Sequence, residues 1–257
     1  MFRMIIIRIG IILLIMCFSG SLQAQDIMDE EEEVIVIKDR WKATKEGEME
    51  HYKDYVPDIV PEHFVLGTLQ FFNAGEGDQF DLYQHYEEPL VNYLIKFAAE
   101  KFKISLQKEK NDRGYTVYSS ELSNKIKNYF DTDRKLKDNI FNSDEEICSF
   151  LLGVYYRNGY KINDSIFKIR YGDTAYTLLK KMDCGRIFNI KYKYMIPGGN
   201  VYYFEPSILL KKYLDTIENE RLLLYQSFLE YNDSSKEKEL QYRKDEKEKM
   251  ESFFHYF

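Results

Sequence analysis

The chain has 257 residues, enough for one large or two small domains with a hydrophobic core. Its 44% hydrophobic and 16% aromatic content excludes wholesale disorder, and its 13 Gly and 5 Pro exclude collagen-like or proline-rich material. The 36 Lys and Arg against 43 Asp and Glu give a formal net charge of -7. Because counterion release requires cationic protein surface, the whole-chain charge predicts that this protein does not bind nucleic acid.

The N-terminal 24 residues are typical of a secretory signal peptide. A basic start is followed by an apolar run from Ile5 to Cys17 and by small residues up to Ala24. The apolar run is shorter than the roughly 20 residues that a spanning helix needs, so we expect cleavage after Ala24 and no transmembrane span afterwards. Lipidation at Cys17 is the alternative, and the bulky Met16 before it disfavours that interpretation. The sequence therefore predicts a secreted or periplasmic protein.

Two cysteines, Cys148 and Cys184, remain after the signal peptide. A secreted protein permits disulfide bonds, so the pair is compatible either with a bridge or with two buried thiols. A catalytic cysteine is disfavoured because no histidine lies near either residue in the sequence.

Both ends of the mature chain are strongly charged. Residues 25–60 predict an acidic tether, in which five consecutive acids precede the apolar stretch Val34 to Ile37. That stretch either stays in the tether or adds a strand to the main sheet. Residues 232–257 alternate Lys with Glu and end in aromatic residues, which predicts an exposed charged helix whose aromatic end docks on its own domain.

The residues between these ends show clear periodicities. Ser143 and Glu146 form a capping box before a helical apolar spacing that stops at Gly159. The same half predicts a strand over 165–170, a helix from Asp173, a strand over 188–194, a turn at 197–200, a strand over 201–204 and a helix after Pro206. The earlier half predicts a helix from Pro61, a strand at 80–82, a helix over 90–97, strands at 102–106 and 115–117 around a turn ending at Gly114, and a helix over 122–129.

The order of predicted elements is the same in both halves. Shifting the chain by 84 positions gives 11 identities among the 70 pairs from 61 to 130, where roughly five are expected by chance. We therefore expect an α+β fold built by tandem duplication of a module of about 84 residues with the order α-β-α-β-β-α. The two modules would cover residues 61–142 and 143–231. One irregular α+β domain with coincidental spacing is the alternative.

The weak candidates for catalytic residues are Asp78, Asp81, His85 and Glu88. On a helix, the last three would share a side and form an acid-base cluster, but the segment reads as a strand, which separates Glu88 from the others. Acids and glycines in the loop around Gly75 could hold calcium, although their spacing matches no EF-hand. The sequence has no zinc spacing, nucleophile elbow, phosphate loop or dinucleotide fingerprint, so we expect no metal and no cofactor.

Four residues recur at the hairpin-to-helix junction under the 84-residue shift and are weak candidates for a binding face. They are Tyr118 with Tyr202 and Glu121 with Glu205. A structural role is the simpler interpretation, because tyrosines pack in cores and glutamates favour a helix N-terminus. For each of the 22 tyrosines, a place in the core is likewise expected before a place at an interface.

These observations predict an exported acidic protein that is not an enzyme and that binds a protein or envelope component, with a basic partner favoured by the charge. An inhibitor or an immunity-like protein would fit this description. The alternative is an envelope hydrolase that uses carboxylates on glycans.

Overall fold

The computed structural model describes residues 33–37, 52–70, 79–133, 135–191 and 200–256. The predicted signal peptide, the turn at 197–200 except for its last residue, and the loop carrying Asp78 lie outside these ranges. The acidic tether is described only in part.

The described residues contain eight α-helices and eight strands. The first half contains β1 (Glu33–Ile37), α1 (Pro61–Thr68), β2 (Gln79–Tyr83), α2 (Glu88–Lys101), β3 (Gln107–Asn111), β4 (Gly114–Tyr118) and α3 (Ser120–Ile126). The second half contains α4 (Asp144–Asn158), β5 (Gly159–Lys161), β6 (Phe167–Tyr171), α5 (Asp173–Lys181), β7 (Ile187–Lys191), β8 (Asn200–Phe204) and α6 (Ile208–Thr216). Two further helices follow, α7 (Glu218–Tyr231) and α8 (Lys236–Tyr256).

The capping box at Ser143 is confirmed. The Ser143 hydroxyl accepts from the Glu146 amide, the Glu146 carboxylate accepts from the Ser143 amide, and α4 ends at Gly159. The strand predicted at 102–106 is wrong, because pairing begins only at Gln107. Lys103 has a left-handed φ of 62°, so the chain turns after α2 and the strand begins later than predicted.

All strand pairs are antiparallel and form two sheets, so the fold is mixed α+β. The three-stranded sheet has the order β2-β4-β3, and the five-stranded sheet has the order β1-β7-β8-β6-β5. Thus β6, β8 and β7 repeat the arrangement of β2, β4 and β3. The apolar stretch after the acid block forms β1, which pairs with β7 along its length.

Helices α1 and α4 pack against each other at the centre of the molecule. A Cβ placed on Gly153 would lie 2.1 Å from the Phe64 carbonyl oxygen, and one on Gly67 would lie 2.0 Å from the Phe150 carbonyl oxygen. Glycine is required at both positions because the helix backbones themselves are in contact.

The main core surrounds this helix pair and is rich in tyrosine. The tyrosines that are almost completely buried are Tyr83, Tyr155, Tyr156, Tyr202, Tyr203 and Tyr213, which confirms the expected core role for these six. A second cluster lies on the other face of the five-stranded sheet, where Met250 and Phe254 of α8 pack on Phe188. The aromatic end of the charged helix therefore docks on its own chain, as predicted. Among the described helices, none combines the length and apolarity needed to cross a membrane.

We expect Gly153→Ala to lower the free energy of unfolding by about 2 kcal/mol or more, since the new methyl group would clash with helix backbone. Urea denaturation followed by circular dichroism measures this change. Gly172→Ala is the matched control, because a Cβ at Gly172 would meet nothing within 4 Å and its φ is -69°. Equal stability of the two variants would contradict the close contact between α1 and α4.

Candidate functional site

The weak catalytic candidates Asp81, His85 and Glu88 do not form an acid-base cluster in the described part of the chain. Asp81 is buried on β2 and bonds to Arg157. The Nε2 atom of His85 lies 3.1 Å from the Asp112 carbonyl oxygen, and Glu88 pairs with Lys108 at 3.0 Å on the surface. Asp81 and Glu88 are therefore held by different partners, one inside and one outside the core. Asp78 lies outside the described residues.

Asp81 instead belongs to a buried ion cluster around Arg157 that the sequence analysis missed. The Arg157 guanidinium donates to the Asp81 carboxylate at 2.5 Å, to both Glu87 oxygens at 2.7 and 3.1 Å, and to the Thr68 and Leu82 carbonyls at 2.8 and 2.9 Å. These bonds use all five N–H donors of the guanidinium. The cluster therefore joins α1, β2, α4 and the turn before α2, and leaves no Arg157 donor for a ligand.

The electrostatics of the cluster follow from burial. Burial disfavours the charged form of Arg157, but Asp81 and Glu87 outweigh it and raise the pKa of the guanidinium. The guanidinium carbon also lies 4.4 Å from the ring centroid of Tyr83. Burial and the nearby Asp81 raise the pKa of the Tyr83 hydroxyl well above its ordinary value. The Arg157 guanidinium therefore stays charged at neutral pH, as expected of a structural element.

We expect Arg157→Met to lower the free energy of unfolding by about 3–5 kcal/mol, because two buried carboxylates would lose their counter-charge. Arg157→Lys should also destabilise the chain, since an ammonium cannot reproduce the planar fork. Thermal and urea denaturation measure both changes. The exposed Arg113→Met serves as control with a change within about 0.5 kcal/mol, and a similarly small effect at Arg157 would rule out its linking role.

The four residues paired by the 84-residue shift do not occupy equivalent places. Tyr202 is fully buried on the core-facing side of β8, whereas Tyr118 is half-buried on the opposite side of β4 and donates to Glu109 at 3.1 Å. Glu121 is exposed, and Glu205 forms a two-bond ion pair with Arg186. The four residues therefore do not share one face. Inward-facing residues have odd numbers in β4 and even numbers in β8, so a shift of 84 superposes an outward-facing residue on an inward-facing one.

Both cysteines are buried free thiols, which decides between the two alternatives. Burial raises the pKa of the Cys148 thiol, with a smaller contribution from Cys184, and burial raises the pKa of Cys184 to about 12. The thiolate is the reactive form, so neither residue is activated as a nucleophile.

We expect two titratable thiols per chain when a Cys17→Ser variant is unfolded in guanidinium without reductant, measured with a chromogenic disulfide reagent. In the native protein the same thiols should react far more slowly, because they are buried and protonated at neutral pH. A count of zero in denaturant would demonstrate a bridge.

The described surface carries a run of basic residues that the whole-chain charge conceals. Lysines or arginines occupy five of the 13 positions from 101 to 113, against two acids, and every one of these charged side chains is exposed: Lys101, Lys103, Lys108, Lys110 and Arg113, with Glu109 and Asp112. We call residues 101–113 the basic edge. It runs from the end of α2 along β3, which is one of the two outer strands of its sheet and is exposed at all five positions. A charge count in short windows would have revealed it.

The part of the chain that the structure describes contains no group of His, Cys, Asp and Glu residues able to hold a metal ion. Most of the loop considered for calcium lies outside the described ranges, so that alternative is tested only at Asp81, whose Oδ2 atom bonds to Arg157.

No family model and no curated protein matches this chain. Among solved structures, it is similar to full-length DUF199/WhiA from Thermatoga maritima, with 12% sequence identity and a TM-score of 0.40. The match covers 72% of this chain and 66% of that protein, so the likeness is partial and concerns the fold alone.

These results correct two predictions. None of the comparisons supports the predicted exported envelope protein, and the similarity found is to a DUF199/WhiA protein. The exclusion of nucleic acid as a partner is also wrong as argued, because it treated the charge of the whole chain as if it were uniform. The basic edge shows that this charge is unevenly distributed.

Proposed function

We propose that this protein binds duplex DNA through the basic edge. The observation that supports the proposal is an exposed outer strand with Lys108 and Lys110, followed by Arg113 at the hairpin turn. Phosphate contacts supply most of the affinity in DNA binding and need cations that reach the backbone. An outer strand places such cations where no neighbouring strand blocks their approach.

The negative charge of the remaining chain does not cancel this local field. Exposed charges farther apart than about 10 Å are largely screened at 0.1 M salt. From residue 96 to residue 137 the chain carries eleven Lys and Arg against six Asp and Glu. The basic edge therefore lies within a longer segment of the same sign, while the surplus of acids falls elsewhere in the sequence.

The polar residues on the outward face of the same sheet are partly bonded to one another. The register places Gln107, Glu109, Asn111, Thr116 and Tyr118 on the side opposite the core-facing Val117, whereas Lys108 and Lys110 lie on the side of Val117. Asn111 donates to Thr116, and Tyr118 donates to Glu109. The exposed cations of the outer strand therefore carry the proposed contact with the phosphate backbone.

We also propose that the two halves arose by duplication of one module. The common strand order of β2-β4-β3 and β6-β8-β7 supports this, as does the pairing of α1 with α4 through one glycine each. The ungapped shift of 84 is not kept, because it exchanges inward and outward residues. Small insertions between elements would again superpose inward-facing residues on inward-facing ones.

We expect a fluorescently labelled 30-base-pair duplex to bind the protein, with an affinity that falls as salt rises from 50 to 200 mM. Lys110→Gln combined with Arg113→Gln should weaken binding about tenfold or more and make the logarithmic salt dependence shallower by about two. Fluorescence anisotropy measures both quantities.

Lys238→Gln combined with Lys244→Gln is the matched control, since it changes the net charge equally at two exposed lysines of α8. This control should bind like the unsubstituted protein. Equal losses in the two double variants would show that only net charge matters, and no binding at 50 mM salt would refute the proposed function.

A further inference from the structure

Helix α8 covers the outward face of the five-stranded sheet. The register places Tyr160, Lys168, Tyr203 and Phe188 side by side in one row across β5, β6, β8 and β7. Neighbouring strands lie about 4.8 Å apart, so the row presents three aromatic rings and one ammonium group over a short span. The face of the three-stranded sheet has no corresponding aromatic row among its described residues.

The row has the composition of a surface that binds single-stranded nucleic acid. Such surfaces combine aromatic rings, on which bases stack, with cations that contact the backbone phosphates. Tyr160, Tyr203 and Phe188 supply the rings and Lys168 supplies the cation. Arg170 lies on the same side of β6, two residues farther along the strand.

The contacts of α8 with this row imitate those of a nucleotide strand. The planar guanidinium of Arg243 lies 3.9 Å from the ring centroid of Tyr160, and the Phe254 ring lies 4.6 Å from that of Phe188. The Glu246 carboxylate accepts from Lys168 at 2.5 Å and from the Tyr203 hydroxyl. The Arg243 guanidinium therefore lies over the Tyr160 ring, and the Phe254 ring contacts Phe188 edge to face. The Glu246 carboxylate occupies the place that a phosphate would take.

We infer that this row is a latent binding surface for single-stranded nucleic acid and that α8 is the autoinhibitory helix that occupies it. The surface lies on a different sheet from the basic edge, so the inference goes beyond the proposed function. Release of α8 would expose both the rings and the lysine. The helix α8 and single-stranded nucleic acid would then compete for the same contacts on the row.

The attachment of α8 is compatible with release. Three of its 21 residues are buried: Glu246, Met250 and Phe254. Its hydrogen bonds to the rest of the chain include those of the Glu246 and Glu251 side chains and of the Phe254 carbonyl, which accepts from Arg186. A short turn at Asp233–Ser235 connects it to α7. Displacement would therefore leave the hydrogen bonds between the strands intact.

Burial beneath α8 also makes the charged form of Lys168 less favourable, although the Glu246 carboxylate lies 2.5 Å from its ammonium group. Burial and the nearby Arg243 lower the pKa of Lys168 to about 7. Exposure to water would restore the ordinary pKa of a lysine, so Lys168 would be fully charged at neutral pH once Glu246 leaves.

The test measures binding of a labelled 12-nucleotide oligothymidylate by fluorescence anisotropy. Met250→Ala combined with Phe254→Ala removes the two apolar anchors of α8 and should tighten binding about tenfold or more, because the open fraction rises. Adding Lys168→Gln should abolish the gain. Lys238→Gln combined with Lys244→Gln, on the exposed side of α8, should not produce it.

Repeating the measurement with Lys110→Gln and Arg113→Gln separates this surface from the basic edge. The gain should persist there even if duplex binding proves absent, and its loss would overturn the inference. An anchor variant that binds no better, or a gain that survives Lys168→Gln, would also overturn it.

Hydrogen exchange of the unsubstituted chain provides a second test, which does not require that the variants fold. At saturating oligothymidylate, the amides of residues 240–256 should exchange faster than in the free protein, because α8 leaves the sheet. Unchanged or slower exchange in α8 would refute the autoinhibitory role.

Discussion

The contact between the backbones of α1 and α4 is the constraint from which the rest of the structure is built. Gly67 and Gly153 allow the two helices to touch, and a side chain at either position would meet a carbonyl oxygen of the other helix. Less than two turns beyond Gly153, Arg157 extends the same helix into the buried ion cluster and joins it to Asp81 and Glu87. Each sheet is thereby fixed relative to one shared pair of helices.

The sequence predicted most elements because their signals are local. Ser143, Glu146 and Gly159 lie within one helix and define its ends without reference to the remaining chain. The failures have a common physical cause in contacts between distant residues. Arg157 meets partners 70 and 76 positions away, and nothing in its neighbourhood distinguishes it from a surface arginine. Whether Tyr118 and Tyr202 point into the core depends in the same way on which side of each sheet the helices cover.

The two candidate surfaces also differ in whether a local sequence signal reveals them. The basic edge is a local run that a charge count in short windows detects, although the charge of the whole chain hides it. The row under α8 is assembled from four strands, and its members are ordinary strand residues when taken singly. The sequence correctly placed the aromatic end of α8 on its own domain. It could not show that the same helix also brings Glu246 to Lys168.

The pairing of α1 with α4 also affects the order in which the chain can fold during synthesis. Gly67 leaves the ribosome well before Gly153, and at roughly 5–20 residues per second the delay is on the order of several seconds. During that time Phe64 and its neighbours in α1 lack the helix that buries them, and Asp81 lacks its counter-ion. Contacts between such distant residues also slow folding in general. The first half of the chain is therefore the part that would depend most on chaperone protection before α4 emerges.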